Sequence, residues 1–191
     1  PSDTRTVGSS IDLDQFRSLP ESEKKHDVVF LGRLHELKGV FDLPEVWAQV
    51  KTARPAATLK VIGEGPHRTA VMDRFAARNL MDGVEFTGGI GDDDKNRLLA
   101  EARLGLSLSS EEGWGLSVNE YLASELPVVA YDLPVFQEVF PDVLHSVPLG
   151  DKTAASRAIL ELLADPAARE VMGRQGRELA QRYDYRAMAR E

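Results

Sequence analysis

A doubly wound α/β domain built on a parallel sheet is the fold this sequence predicts, on three observations. Apolar runs of strand length alternate with amphipathic stretches of helical period, the pattern of successive βαβ units. Glycines mark the junctions, at Gly39, Gly63, Gly65, Gly83, Gly88, Gly89 and Gly91, where the chain must turn. The composition, 42% hydrophobic and 28% charged over 191 residues, suffices for one substantial core and favours one domain.

Residues 1–26 are polar, closing on Pro20-Glu-Ser-Glu-Lys-Lys25, and read as a lead-in to a domain over residues 27–191. The first strand is the apolar run Val28–Leu31. A helix follows over Leu43–Val50, where Leu43, Val46, Trp47 and Val50 recur at i, i+3, i+4 and i+7. Next come a strand at Thr58–Ile62, a helix at Thr69–Arg78, a strand at Val84–Phe86 and a helix at Asp94–Ala102. Asp92, Asp93 and Asp94 sit where a helix N-terminus favours acids, a better account of them than a metal cluster. Leu104–Leu108, Val128–Tyr131 and Val143–Val147 are further strands, with helices at Val118–Ser124, Ala154–Leu163 and Ala168–Tyr183. Strands this short and apolar, with helices between them, make a sheet covered on both faces.

The balance of 23 basic against 31 acidic residues gives a net charge of −8, which argues against non-specific nucleic-acid binding or a polybasic membrane contact. There is no Cys, and the four His show no ligand spacing, so neither a thiolate nor a His metal site is expected. No apolar run approaches the length of a membrane span and no signal-peptide pattern opens the chain. Cytoplasmic residence is the default expectation, with peripheral contact of a larger parent enzyme with the inner face of a membrane left open.

Two loops carry the chemistry. Glu112-Gly-Trp-Gly-Leu-Ser-Val-Asn-Glu120 leaves a strand-like run and enters a helix. A Gly-rich turn opening a helix offers free backbone N–H groups and a positive dipole end, which suits an anion. Carboxylates do not bind phosphate, so Glu112 and Glu120 fit hydroxyl donors around it, such as a ribose and a sugar. Ser117 and Glu120 are also spaced for a capping box, a purely structural alternative for Glu120. Trp114 is read equally as a packing residue or as a wall of the pocket. The second loop, Gly32-Arg33-Leu-His-Glu-Leu-Lys38-Gly39, follows the first strand, at the strand end where open α/β sheets bind ligands. There a guanidinium can grip phosphate bidentately and an ammonium adds a point charge.

Ser109-Ser-Glu-Glu112-Gly-Trp-Gly and Glu120 together resemble the E-x7-E element of family 4 retaining glycosyltransferases (glycosyl transferases group 1), and Gly-Arg33-x4-Lys38-Gly resembles the same family's pyrophosphate loop. The likeness continues through Val61-Ile-Gly-Glu-Gly-Pro66, Val84-Glu-Phe-Thr-Gly88 and Ser124-Glu-Leu-Pro127-Val-Val-Ala130, with Glu125 where the family usually has Gly. Val7-Gly-Ser-Ser-Ile-Asp12-Leu-Asp-Gln-Phe16 is similar to its interdomain linker, while Pro134-Val135 departs from its usual Gly-Gly.

The resemblance implies the Rossmann-like, carboxyl-terminal half of a GT-B enzyme, with the amino-terminal acceptor half absent and the isolated chain inactive. It implies a nucleoside-diphosphate sugar as co-substrate, no metal, and retention by front-face attack. Arg33, Lys38 and Glu112 would take the catalytic roles. Gly32, Gly113, Trp114, Gly115, Leu116 and Glu120 would bind the donor, and Ile90 and Lys95 would line the nucleobase. A glycogen-synthase-type GT-B enzyme and a non-catalytic nucleotide-sugar-binding module are the alternatives.

Overall fold

The structure, a computed structural model, describes residues 10–188; Val7–Ser9 of the linker-like stretch lie outside the described residues. Six strands form one parallel sheet: β1 (His26–Leu31), β2 (Leu59–Ile62), β3 (Val84–Gly88), β4 (Ala102–Ser107), β5 (Val128–Tyr131) and β6 (His145–Val147). Their order is β3-β2-β1-β4-β5-β6, every neighbouring pair parallel. The chain winds outward from β1 to β3, then crosses back to lay β4 on the other side of β1. The β1–β4 boundary is therefore the topological switch point.

Helices cover both faces. On one, α1 (Leu43–Ala53), α2 (Arg68–Ala76) and α6 (Lys152–Ala164) pack with Val28 and Phe30 of β1. On the other, α3 (Asp92–Ala100), α4 (Leu116–Ala123), α5 (Pro134–Val139) and α7 (Pro166–Ala180) pack with Val29. Alternate β1 side chains thus enter different cores, which is why the strand reads as continuously apolar. Asp151 and Asp165 cap α6 and α7, accepting from Ala154 N–H at 2.8 Å and Ala168 N–H at 2.9 Å, and Pro166 fills the first position of α7.

Several boundaries differ from expectation. The third helix begins at Asp92 and ends at Ala100, and β4 starts at Ala102, so each element opens two residues before its expected start. Residues 134–139 form α5, opened by Pro134, where no helix was expected; six residues are too few for a helical period to show. The lead-in is not merely polar spacer. Ile11 and Phe16 are buried in the second core, and Ile11 pairs with Asp184. Among the described residues no helix is long and apolar enough to cross a membrane.

Candidate active site

Both expected loops leave the carboxyl ends of the two strands that flank the switch point. The β1 loop curls into a 3-10 turn at Glu36–Lys38, capped by His35, whose side chain accepts from Leu37 N–H at 3.3 Å. Gly39 ends that turn at φ 66°, and its bare Cα lies so close to the Leu108 carbonyl that a Cβ would stand 1.9 Å from the oxygen. The β4 loop is tied to it by Ser110 N–H donating to the Leu37 carbonyl at 2.9 Å. No residue larger than Gly fits between these two loops.

The ties place the charged groups. Lys38 Nζ lies 2.5 Å from Glu112 Oε1, and Ser109 Oγ donates to the same oxygen at 2.8 Å. The Glu112 side chain is only 8% exposed, so its carboxylate depends on these partners. The Lys38 stem lies over Gly32, within ordinary contact distance of where a Cβ would stand. Arg33 is exposed and forms no ion pair among the described residues. Arg33, Lys38, Glu111, Glu112 and Gly113 line one cavity of about 330 Å³.

Glu120 is held in the same manner. Lys95 of α3 reaches across to Glu120 Oε1 at 2.6 Å while also binding Asp92 at 2.7 Å. Burial works against the Lys95 charge, but the hydrogen bonds it donates to Asp92 and Glu120 outweigh it and hold the ammonium above its ordinary pKa. Each glutamate of the E-x7-E element is thus paired with a lysine, Glu112 with Lys38 of the β1 loop and Glu120 with Lys95 of α3.

The capping-box alternative for Glu120 fails. α4 begins one residue after Gly115, which takes φ 101°, so Ser117 lies inside the first turn and no side chain caps the helix. A Cβ on Gly115 would stand 2.8 Å from Phe136 and 2.9 Å from Phe140. Trp114 packs edge-on against Phe140 and Tyr183, with ring centroids 5.5 and 5.0 Å away, which accounts for the ring by packing. Leu116 opens α4 with 48% exposure. Ile90 packs against the second core, as Leu31 and Trp114 do, and lines a groove of about 500 Å³ with Thr87, Asp94 and Leu98.

One site residue escaped the sequence reading. The fully buried Tyr121 hydroxyl accepts from Leu31 N–H at 2.5 Å and donates to the Leu106 carbonyl at 3.3 Å. It sits at the end of the β1–β4 pairing, whose last registered pair is Phe30 with Leu106. Burial pushes this phenol above its ordinary pKa, so it stays a neutral bridge. The ring has room only because Gly105 beneath it is bare: a Cβ there would be 2.6 Å from the ring. Tyr121 thereby joins α4, and Glu120 with it, to the strand end that launches Arg33. A polar atom on an otherwise apolar helix face was the available signal.

Among the described residues no cluster of three or more His, Cys, Asp or Glu is placed to hold a metal. Comparison with known proteins agrees with the fold. The family model for glycosyl transferases group 1 matches residues 12–179. A phosphatidyl-myo-inositol mannosyltransferase from Propionibacterium freudenreichii is 31% identical over 164 residues, covering 83% of this chain and 40% of that enzyme. The sucrose-phosphate synthase of Thermosynechococcus elongatus superposes with a TM-score of 0.82 at 28% identity, over 97% of this chain and 50% of that one. The C-terminal domain of a glycosyl transferase group 1 protein from Francisella tularensis superposes with a TM-score of 0.81 at 20% identity, over 92% of this chain and 99% of that one. The chain spans about half or less of the full-length enzymes it matches. With its switch-point loops and a match over most of its length, the chain belongs to the glycosyl transferases group 1 family.

Proposed function

We propose that the chain is the donor-binding part of a retaining glycosyltransferase, which moves a sugar from a nucleoside-diphosphate sugar to an acceptor. The observation that carries this is the pairing of Lys38 with Glu112 and of Lys95 with Glu120 around the switch point. Without ligand, the two cations and two carboxylates neutralise each other. A diphosphate arriving beside Arg33 draws Lys38 onto its oxygens, and Glu112, freed of its cation, accepts hydrogen bonds from sugar hydroxyls. Glu120 takes ribose hydroxyls with Lys95 beside it. The uncapped first turn of α4, reached through the Gly113–Gly115 turn, aims N–H groups at the phosphates.

As the glycosidic bond breaks, charge grows on the leaving diphosphate, and Arg33, Lys38 and these amides stabilise it where they already stand. No divalent ion is required in this scheme, because fixed cations do its work. The acceptor attacks from the face the diphosphate leaves, giving retention. Residues 1–26 act as the connection to an acceptor-binding domain, and residues 27–191 as the donor domain of a cytoplasmic enzyme.

Calorimetric titration with a panel of nucleotide sugars, with excess chelator present, tests the scheme. Expected is metal-independent binding at roughly micromolar or weaker affinity, since half a cleft leaves the ligand exposed, and no transfer to any acceptor by the 191-residue chain alone. Binding that chelator abolishes and magnesium restores would remove the role given to Arg33 and Lys38.

A further inference from the structure

Titratable side chains from both loops line the cavity of about 330 Å³ at the switch point: Arg33, His35 and Lys38 after β1, Glu111 and Glu112 after β4. Glu111 is anchored on either side while its own carboxylate stays open. Its neighbour Ser110 donates N–H to the Leu37 carbonyl at 2.9 Å, and its other neighbour Glu112 holds Lys38 at 2.5 Å. The Glu111 side chain is exposed and makes no hydrogen bond or ion pair among the described residues.

The charges of this cavity balance only while it is empty of ligand. His35 Nδ1 accepts from Leu37 N–H at 3.3 Å, which keeps that ring neutral. Arg33 and Lys38 then offset Glu111 and Glu112, although only Lys38 and Glu112 touch. A diphosphate carries a negative charge on each phosphate and occupies both cations. Glu111 and Glu112 are then left uncompensated beside the sugar. A carboxylate on that sugar would add a further like charge in the same small cavity, a repulsion that salt screens only in part.

We propose that Glu111 is a specificity-determining residue: with Glu112 it makes the sugar pocket acidic, so that the donor sugar is neutral or bears an amino group and hexuronates are rejected. This rests on the donor-binding role proposed for the chain. Glu112 accepts from the hydroxyls of the correct sugar, and Glu111 acts by repelling the wrong one. Rejection by an unpaired like charge is a general route to specificity.

Calorimetry on the 191-residue chain compares UDP-glucose with UDP-glucuronate and GDP-mannose with GDP-mannuronate, with UDP and GDP as references. Each pair differs only in a hydroxymethyl group replaced by a carboxylate. Expected is a preference for the neutral sugar of about tenfold or more within the pair whose nucleotide binds, narrowing as salt is raised. Glu111→Gln should reduce that preference by about two- to fivefold, the worth of one exposed charge. Glu36→Gln removes another exposed carboxylate, on the β1 loop but outside the cavity, and should leave the preference as in the parent. Equal affinity for both members of a pair overturns the proposal. So does a preference that Glu111→Gln leaves intact, or that Glu36→Gln reduces as much. In each of these cases UDP or GDP still binds, and the donor-binding role stands. Binding of none of these ligands removes that role and the proposal with it.

Discussion

Lys38→Ala in the whole enzyme should lower kcat/KM by about 10²–10³-fold, the usual cost of removing one preorganised charge stabiliser. It should also cost about 1–3 kcal/mol of stability, because Glu112 is left nearly buried without its cation. Adding Glu112→Gln should recover most of the stability and none of the turnover. Denaturant unfolding and steady-state kinetics on both variants check this, and recovery of both together would show the pair to be structural. Glu120→Gln should weaken nucleotide binding by about 1.5–3 kcal/mol. Ser117→Ala should leave stability within about 0.5 kcal/mol of the parent, since the hydroxyl caps nothing. Tyr121→Phe should destabilise by about 1–3 kcal/mol, leaving Leu31 N–H without its hydroxyl acceptor. At this scale the sequence reading singled out Arg33, Lys38, Glu112 and Glu120 as candidates, since each lies in a short local pattern. It did not pair Lys95 with Glu120, 25 residues apart, or place the Tyr121 hydroxyl between β1 and β4, because such partners are chosen by packing.

α4 is the element on which the site depends, and both its ends are testable. Gly115→Ala should destabilise by about 2 kcal/mol or more, because φ 101° is unfavourable to any side chain and the new methyl meets Phe136 and Phe140. A melt unchanged from the parent would mean that the loop has another conformation. At the other end, Leu126 N–H bonds the Tyr121 carbonyl and Glu125 N–H the Leu122 carbonyl, with Glu125 at φ 56°. That is a Schellman turn with a charged residue where glycine is favoured. Glu125→Gly should therefore stabilise by up to about 1 kcal/mol, read by urea unfolding, whereas a loss would show the Arg177 contact to outweigh the backbone strain. Glycine at the family's equivalent position was the clue in the sequence. The Pro134–Val139 helix had no comparable clue: its apolar residues and proline were equally consistent with a loop.

Over the whole molecule, the two ends of the described chain are clasped together. Ile11 N–H donates to the Tyr183 carbonyl and Tyr185 N–H to the Ile11 carbonyl, each at 3.0 Å, and the Asp184 carboxylate accepts from Leu13 N–H at 3.0 Å. Burial opposes the Asp184 charge, but backbone N–H groups of Leu13 and Arg186 and the Arg186 guanidinium outweigh it and hold its pKa below the ordinary 3.8. A depressed carboxylate pKa contributes stability that is complete above its unfolded value and is lost as pH falls through the folded one. The clasp should therefore hold unchanged from neutral pH down to about 4 and loosen only in stronger acid. Hydrogen exchange at Ile11 and Tyr185 followed against pH checks this. Opening already near pH 6 would assign the contact to another group.

The sequence by itself determined the fold class, the six strands and the two loops that carry charge, because period, glycine punctuation and short motifs are local properties of a chain. It also determined that both faces of the sheet would be covered, since its strands are apolar without alternation. The tertiary structure alone decided the strand order, and with it that the loops after β1 and β4 face one another. It decided too that both site glutamates are neutralised by lysines, that Trp114 spends its ring on packing, and that Glu111 shares one cavity with Arg33 and Lys38. These are contacts between distant residues. They depend on which helix returns across which face of the sheet, a choice made by the burial of the whole core rather than by any stretch of sequence.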